Sequence, residues 1–216
     1  MKVGTDGVLL GAWARVEHCR RILDMGTGTG LVALMAAQRS QAHIVAIDLD
    51  ADAVAQATEN VAASPWADCI QVLEADARYL ADFQYSFDSI LCNPPFFENS
   101  LKCPDSARTM ARHTDTLSFD ELARSAARLL SPEGELSVVI PYDRAHGMTV
   151  SAACHGLFAT RQTVVVPVEG GKPKRILMAF TREGAAHTVE TLYIQDAQRS
   201  YTLAYIRLVE DFYLKM

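Results

Sequence analysis

An α/β fold built on a mostly parallel sheet is predicted by three features of the sequence. Short apolar strand candidates alternate with helical stretches from residue 21 onward. The first of these strands opens into a glycine-rich loop that leads straight into an apolar helix. Polar residues then collect where strands end: Asp48, Asp76 and the run Asn93-Pro94-Pro95-Phe96. Open α/β sheets bind ligands at that edge.

Taken in order, Met1 to Ala14 reads as a short helix burying Val8, Leu9 and Trp13, with Thr5 or Asp6 as its cap. Arg21–Met25 is the first strand, and Leu31–Arg39 the helix after the loop. The loop reads Asp24-x-Gly26-x-Gly28-x-Gly30. Its glycines permit a tight turn and close backbone approach, and the helix start offers free N–H groups. An aspartate at the strand end suits a positive amino group better than a pyrophosphate. Ile44–Asp48 is the second strand; Asp48 is positioned to accept from ribose hydroxyls, while Asp50 caps the helix from Ala51 to Ala63. Cys69–Leu73 is the third strand, and Asp76 beyond it is an acceptor for an adenine amino group.

Phe87–Cys92 is a buried-looking strand running into Asn93-Pro94-Pro95-Phe96-Phe97. Prolines lack an N–H, so their carbonyls stay free on a stiff backbone. Asn93 adds a side-chain carbonyl, and Phe96 a flat face for a flat ring. Two acceptors can hold the hydrogens of an exocyclic amine and leave its lone pair free to attack an electrophile. Residues 97–117 are polar and without periodicity, and hold Lys102, Arg108, Arg112 and His113.

Ser118-x-x-Glu121 is a capping box opening a helix with Leu122, Ala126 and Leu129 on one face. That helix stops near Pro132-Glu133-Gly134, before a fifth strand, Glu135–Ile140. A helix from about Arg144 to Leu157 follows. Gln162–Val168 and Arg175–Thr181 form a hairpin whose tip carries Lys172 and Lys174, candidate phosphate contacts. Thr188–Ile194 is a further strand candidate, and Tyr201–Leu214 fits helix or strand.

Length and composition set outer limits. With 216 residues, half hydrophobic and 21% charged, the chain suffices for a single domain over 1–216 with a full core. No repeat or linker interrupts it. Cys19, Cys69, Cys92, Cys103 and Cys154 are odd in number and form no C-x-x-C pair, which argues for reduced thiols, no metal site and a cytoplasmic location. No stretch resembles a signal peptide or a membrane span. The net charge of −6 excludes a general electrostatic grip on nucleic acid, so any such partner is held by a local basic patch.

The glycine loop, the acidic strand ends and Asn93-Pro94-Pro95-Phe96 together resemble class I S-adenosylmethionine-dependent methyltransferases. That resemblance implies a Rossmann-like, mostly parallel seven-stranded sheet with helices on both faces and an antiparallel C-terminal hairpin. More narrowly, Lys2-Val3-Gly4-Thr5-Asp6-Gly7, Asn93-Pro94-Pro95-Phe96-Phe97 and Asp211-Phe212-Tyr213-Leu214-Lys215 resemble the bacterial tRNA1(Val) adenine-37 N6-methyltransferase family. Members carry a further basic and aromatic segment before the first of these motifs.

The resemblance implies transfer of a methyl group to an adenine N6 amine beside the anticodon. Thr5, Asp24, Gly26, Gly28, Gly30, Asp48 and Asp76 would surround the cofactor. Asn93, Pro94, Pro95 and Phe96 would hold the adenine, and Lys2, Phe97, Arg112, Lys172 and Lys174 would contact the RNA. Other readings of the acceptor motif are glutamine methylation of a release factor, guanine N2 methylation of ribosomal RNA, and an RNA chaperone that binds the cofactor without turnover.

Overall fold

A computed structural model describes residues 4–80, 87–94, 117–184 and 187–214. Eight strands form one sheet: β1 (Arg21–Met25), β2 (His43–Asp48), β3 (Ile70–Glu74), β4 (Phe87–Cys92), β5 (Leu130–Pro141), β6 (Phe158–Val168), β7 (Arg175–Thr181) and β8 (Thr188–Gln195). Their spatial order is β3-β2-β1-β4-β5-β7-β6-β8. The strands from β3 to β5 run parallel, and β7 lies antiparallel between β5 and β6. The helices are α1 (Thr5–Trp13), α2 (Leu31–Arg39), α3 (Ala51–Ala62), α4 (Phe119–Leu129), α5 (Ala145–Cys154) and α6 (Leu203–Val209). No helix among the described residues is long and apolar enough to cross a membrane.

Strand alternation divides the core into two layers. Ile22, Ile44, Leu91, Val139 and Leu177 pack under α1, α2 and α6. Leu23, Val45, Ile90, Val138 and Met178, their neighbours along the same strands, pack under α4 and α5. Each central strand is therefore apolar on both faces, as a parallel sheet covered by helices requires. The α1–α6 layer is further pinned by polar contacts. Trp13 Nε1 donates to Thr163 Oγ1 at 2.8 Å, and the Arg161 guanidinium sits 3.5 Å from the Trp13 ring centre. Arg39 donates to the carbonyls of Gly11 and Ala14, which the end of α1 leaves unpaired.

The strand, loop and helix assignments hold for β1, α2, β4 and the capping box at Ser118. Three expectations need correction. First, the sheet has eight strands, not seven: β8 adds in parallel to β6 and covers what would be a long exposed edge. Second, α4 already ends at Leu129 and β5 starts at Leu130, so Pro132-Glu133-Gly134 lies inside the strand and does not separate helix from strand. A Cβ on Gly134 would lie 2.8 Å from the Phe87 carbonyl, so glycine serves here to let two strand backbones approach where the register slips. Third, neither Thr5 nor Asp6 caps α1; Gly4 occupies that position, and Asp6 instead accepts from Arg175 Nε at 2.7 Å. The stretch 201–214, which fitted helix or strand, is decided for helix: Thr202 caps α6 through Tyr205 N–H, and the short 3-10 turn Glu210–Phe212 follows.

Gly11 marks the closest approach of α1 to α2. A Cβ there would lie 2.6 Å from Met35 Sδ and 3.0 Å from Met35 Cβ. Gly11→Ala should force the helices apart and cost about 1–3 kcal/mol, as overpacking does. The expected readout is a lower urea midpoint at unchanged slope.

Candidate active site

β1 neighbours both β2 and β4, so the chain reverses its direction of sheet growth at this point. The crevice at the carboxyl ends of these strands is where open α/β sheets take ligands. The register pairs Met25 with Cys92. Gly26 and Asn93 therefore leave adjacent strands at the same level, one strand spacing of about 4.8 Å apart.

The loop after β1 depends on its glycines. Gly26, Gly28 and Gly30 have φ of 78°, 58° and 82°, in the left-handed region that side chains disfavour. Gly26 N–H and Thr27 N–H donate to the Ile47 carbonyl at 2.9 and 2.8 Å, which folds the loop over β2. A Cβ on Gly26 would meet nothing within 4 Å, so its surroundings leave room for a ligand. Gly30 instead faces Ala57 of α3 at 3.4 Å.

Asp24 is 1% exposed and lies beneath this loop. Its Oδ2 accepts from Thr27 Oγ1 at 2.6 Å and from Ala33 N–H at 3.0 Å. One carboxylate oxygen thus fastens both the loop and the first turn of α2. Burial pushes the Asp24 carboxyl up to about 6, despite the lowering effect of those two bonds.

Asp48 is half-buried at the end of β2. Its Oδ2 accepts from Gly28 N–H at 2.8 Å and its Oδ1 from Asp50 N–H at 3.1 Å. Each oxygen has a second lone pair for a ligand hydroxyl. Asp50 caps α3 by accepting from Asp52 N–H, as expected.

Asp76, read from sequence as an acceptor for an adenine amino group, already has a partner within the chain. It caps a short 3-10 turn and takes a bidentate ion pair from Arg78, at 2.9 Å from Nε and 2.7 Å from the terminal nitrogen. Partial burial raises its carboxyl, but the Arg78 bonds outweigh this and hold it below the usual carboxylate range. A ligand amine at Asp76 must share the carboxylate with Arg78.

Asn93 is half-buried and Pro94 buried. Among the described residues, none hydrogen-bonds the Asn93 side chain. The Cβ that Gly7 lacks would lie 3.9 Å from Asn93 Nδ2 and 3.2 Å from Leu31 Cδ2. The first turn of α1 is therefore a wall of the same crevice, with Thr5 exposed at its start. Cys92 is no candidate nucleophile: burial, then the charges of Asp24 and Asp48, push its thiol far above the usual range.

Lys172 and Lys174 are exposed on the β6–β7 hairpin, and that hairpin closes at the same edge as Asn93. Pro95, Phe96, Phe97, Arg112 and Lys2 lie outside the described residues. Sequence reasoning missed Thr27, Gly7 and Asn60, whose Nδ2 donates to the Thr29 carbonyl at 2.8 Å. Thr27 carried a usable signal: a hydroxyl between two glycines, three residues beyond the strand-end acid. Gly7 and Asn60 carried none, since both reach the site only through helix packing.

A protonated Asp24 is held more tightly by the folded protein than by the unfolded chain, where aspartate titrates near 3.8. Its contribution to stability is full below that value and is lost as pH rises through about 6. At pH 7.5 the buried charge costs on the order of 3 kcal/mol. Asp24→Asn can still accept from Thr27 and Ala33, so the urea midpoint at pH 7.5 should rise and the dependence between pH 4 and 6 should shrink. A midpoint that falls at pH 7.5 would show that the fold needs the charge.

Comparison with known proteins sets this geometry in a family. Residues 4–164 match the methyltransferase small domain model. The chain is 51% identical to a Phocaeicola vulgatus protein and 44% identical to a Haemophilus influenzae protein, both named tRNA1(Val) (adenine(37)-N6)-methyltransferase. Each alignment spans 100% of this chain and 92% of the relative. Among solved structures, a predicted O-methyltransferase from Agrobacterium tumefaciens superposes with a TM-score of 0.74 at 20% identity, over 95% of this chain and 96% of the other, and shows the fold alone. TrmN from Thermus thermophilus superposes with a TM-score of 0.55 at 25% identity, over 76% of this chain and 44% of its own. With its class I methyltransferase sheet and full-length relatives, the chain belongs to the methyltransferase small domain family and, within it, to the tRNA1(Val) (adenine(37)-N6)-methyltransferases.

Proposed function

We propose that this single-domain enzyme transfers the methyl group of S-adenosylmethionine to the N6 amine of adenine 37, in the anticodon stem-loop of tRNA1(Val). The observation that carries the reading is the side-by-side exit of the glycine loop and Asn93 from β1 and β4. It supports a reading in which a cofactor cradle and a planar-amine acceptor share one crevice. The names carried by relatives at 44–51% identity support adenine N6 in tRNA over guanine N2 or a protein glutamine.

The residues present fit the cofactor. Open space at Gly26 admits its backbone, Asp48 has lone pairs left for ribose hydroxyls, and Asp24 carries the negative charge that a methionine ammonium complements. Thr5, Gly28, Gly30 and Asp76 complete this set. When bound, S-adenosylmethionine would supply a methyl group activated by a sulfonium: the S–CH3 bond breaks as the N–CH3 bond forms, S-adenosylhomocysteine leaves, and the surplus proton of the amine passes to solvent.

Asn93 Oδ1 and the Pro94 carbonyl accept the two amine hydrogens, turning the nitrogen lone pair toward the cofactor side. Pro95 stiffens that carbonyl, and Phe96 stacks on the extruded base. These hydrogen bonds strengthen as the nitrogen loses conjugation, so they favour the transition state over the bound adenine. An anticodon-loop base is already unpaired, which lowers the cost of extrusion. Lys2, Phe97, Arg112, Lys172 and Lys174 contact the RNA, and the enzyme works in the cytoplasm beside its tRNA.

Asn93→Ala should lower turnover by about a hundredfold or more while leaving cofactor affinity nearly intact. The measurement is incubation with S-adenosylmethionine and unmodified total tRNA, followed by nucleoside mass spectrometry and cofactor titration of both proteins. Equal loss of turnover and cofactor binding would remove Asn93 from the acceptor role.

A further inference from the structure

The carboxyl edge of the sheet is divided by charge. Over β1, β2 and β3 it carries Asp24, Asp48, Asp50, Asp52, Glu74 and Asp76. Arg78, which lies among them, is taken up by Asp76 and Glu121. Over β5, β7, β6 and β8 the same edge carries Arg144, Lys172, Lys174, Arg175 and Arg199. Among the described residues the acids of this second half are Asp6, Asp143, Glu169 and Asp196, so five cations stand against four acids here, where six acids stand against one cation over β1–β3. Asp6 is held by Arg175, and Asp196 Oδ1 accepts from the backbone of Gln198 and Ser200, both at 2.9 Å. Arg144, Lys172, Lys174 and Arg199 are exposed.

This second half is also a built surface. Tyr142 N–H donates to the Lys174 carbonyl at 3.2 Å, so the turn after β5 and the base of the hairpin form one unit. The Tyr142 ring is 43% exposed there. Arg175 ties the hairpin through Asp6 to α1, whose next residue, Gly7, abuts Asn93. Arg199 has φ 67°, the single non-glycine residue with positive φ among the described residues. It closes the turn after β8, where Arg199 N–H donates to the Asp196 carbonyl and Asp196 N–H to the Ser200 carbonyl. Glycine would suit that conformation better. That conformation costs a side-chain-bearing residue some backbone strain, so stability alone does not call for arginine here.

We propose that the RNA backbone lies across the β5–β8 half of this edge, with phosphates on Lys172, Lys174 and Arg199 and an unstacked base against Tyr142. The acidic half repels phosphate and faces the cofactor, so the RNA reaches Asn93 from the basic side. A chain of net charge −6 has no general attraction for RNA, and a local cationic surface supplies it. The proposal rests on the tRNA reading above and adds the direction of approach and the residues Tyr142 and Arg199.

The test is binding of the full chain to an unmodified tRNA transcript, read by fluorescence anisotropy over a salt series, with cofactor affinity measured in parallel. Lys172→Ala with Lys174→Ala should weaken tRNA binding about tenfold near 100 mM salt and flatten the slope of log Kd against log salt by about one per lost contact. Arg199→Gly should weaken binding with no fall in Tm, a combination that a structural role would not give. Tyr142→Ala should weaken binding, and Tyr142→Phe should restore it. Cofactor affinity should stay unchanged in all of these. Arg15→Ala with Arg20→Ala, an equal charge change before β1 at the opposite edge, should leave tRNA binding as it was. Wild-type binding by the rim variants, or equal weakening by Arg15→Ala with Arg20→Ala, overturns the proposal. A wild-type chain that binds cofactor but no tRNA overturns the tRNA reading, and this proposal with it.

Discussion

The carboxylate of Asp24 is the point on which the site depends. It sits in the core between β1 and α2, where a charge is costly, and its Oδ2 holds Thr27 and Ala33 together. Without an acceptor there, a buried hydroxyl and an N–H of the first turn of α2 would both lose their partner. The rest of the loop follows from this anchor. With Thr27 fixed, Gly26 and Thr27 reach the Ile47 carbonyl, and Gly28 reaches Asp48 on the next strand. An asparagine could make the same two bonds at lower cost. The presence of an acid therefore points outward, to a ligand with positive charge.

The acceptor side is organised by packing rather than by hydrogen bonds. Asn93 leaves β4 with its amide unclaimed by any described residue, and the chain brings α1 across it at Gly7. Asp6 and Arg175, 169 residues apart, close the far end of that first turn. The first turn of α1 and the hairpin at the far side of the sheet thus share one rim with Asn93. A methyl transfer that needs little more than alignment suits such a frame, because the protein's work is to hold an amine in line with a sulfonium methyl.

Much of this was legible in the sequence. β1, α2 and β4 stood out because apolar runs were bounded by glycine, proline or charge, and local chemistry decided their limits. The capping box at Ser118 and the Asp50 cap were legible for the same reason: a cap is a contact between residues two or three apart. Asp76 was read only as an acceptor, because its partner Arg78 could equally have faced solvent. β5 was read short, since Pro132 and Gly134 mark a turn unless a neighbouring strand needs their backbone close. The final aromatic stretch had no decisive period, and the sheet edge at β8 left it to fold as a helix capped by Thr202.

The sequence by itself determined the order of elements, the glycine loop and the residues that end each strand, because these rest on backbone sterics and short-range bonds. It also supplied the carbonyl groups of Asn93 and Pro94, which belong to those residues whatever their neighbours. Only the tertiary structure decided which strand ends become neighbours. The insertion of β1 between β2 and β4 sets Gly26 beside Asn93, and the antiparallel turn of β7 returns Arg175 to the same edge. The division of that edge into an acidic and a basic half follows from strand order. No local rule encodes it, because strand order is set by burying two apolar faces at once.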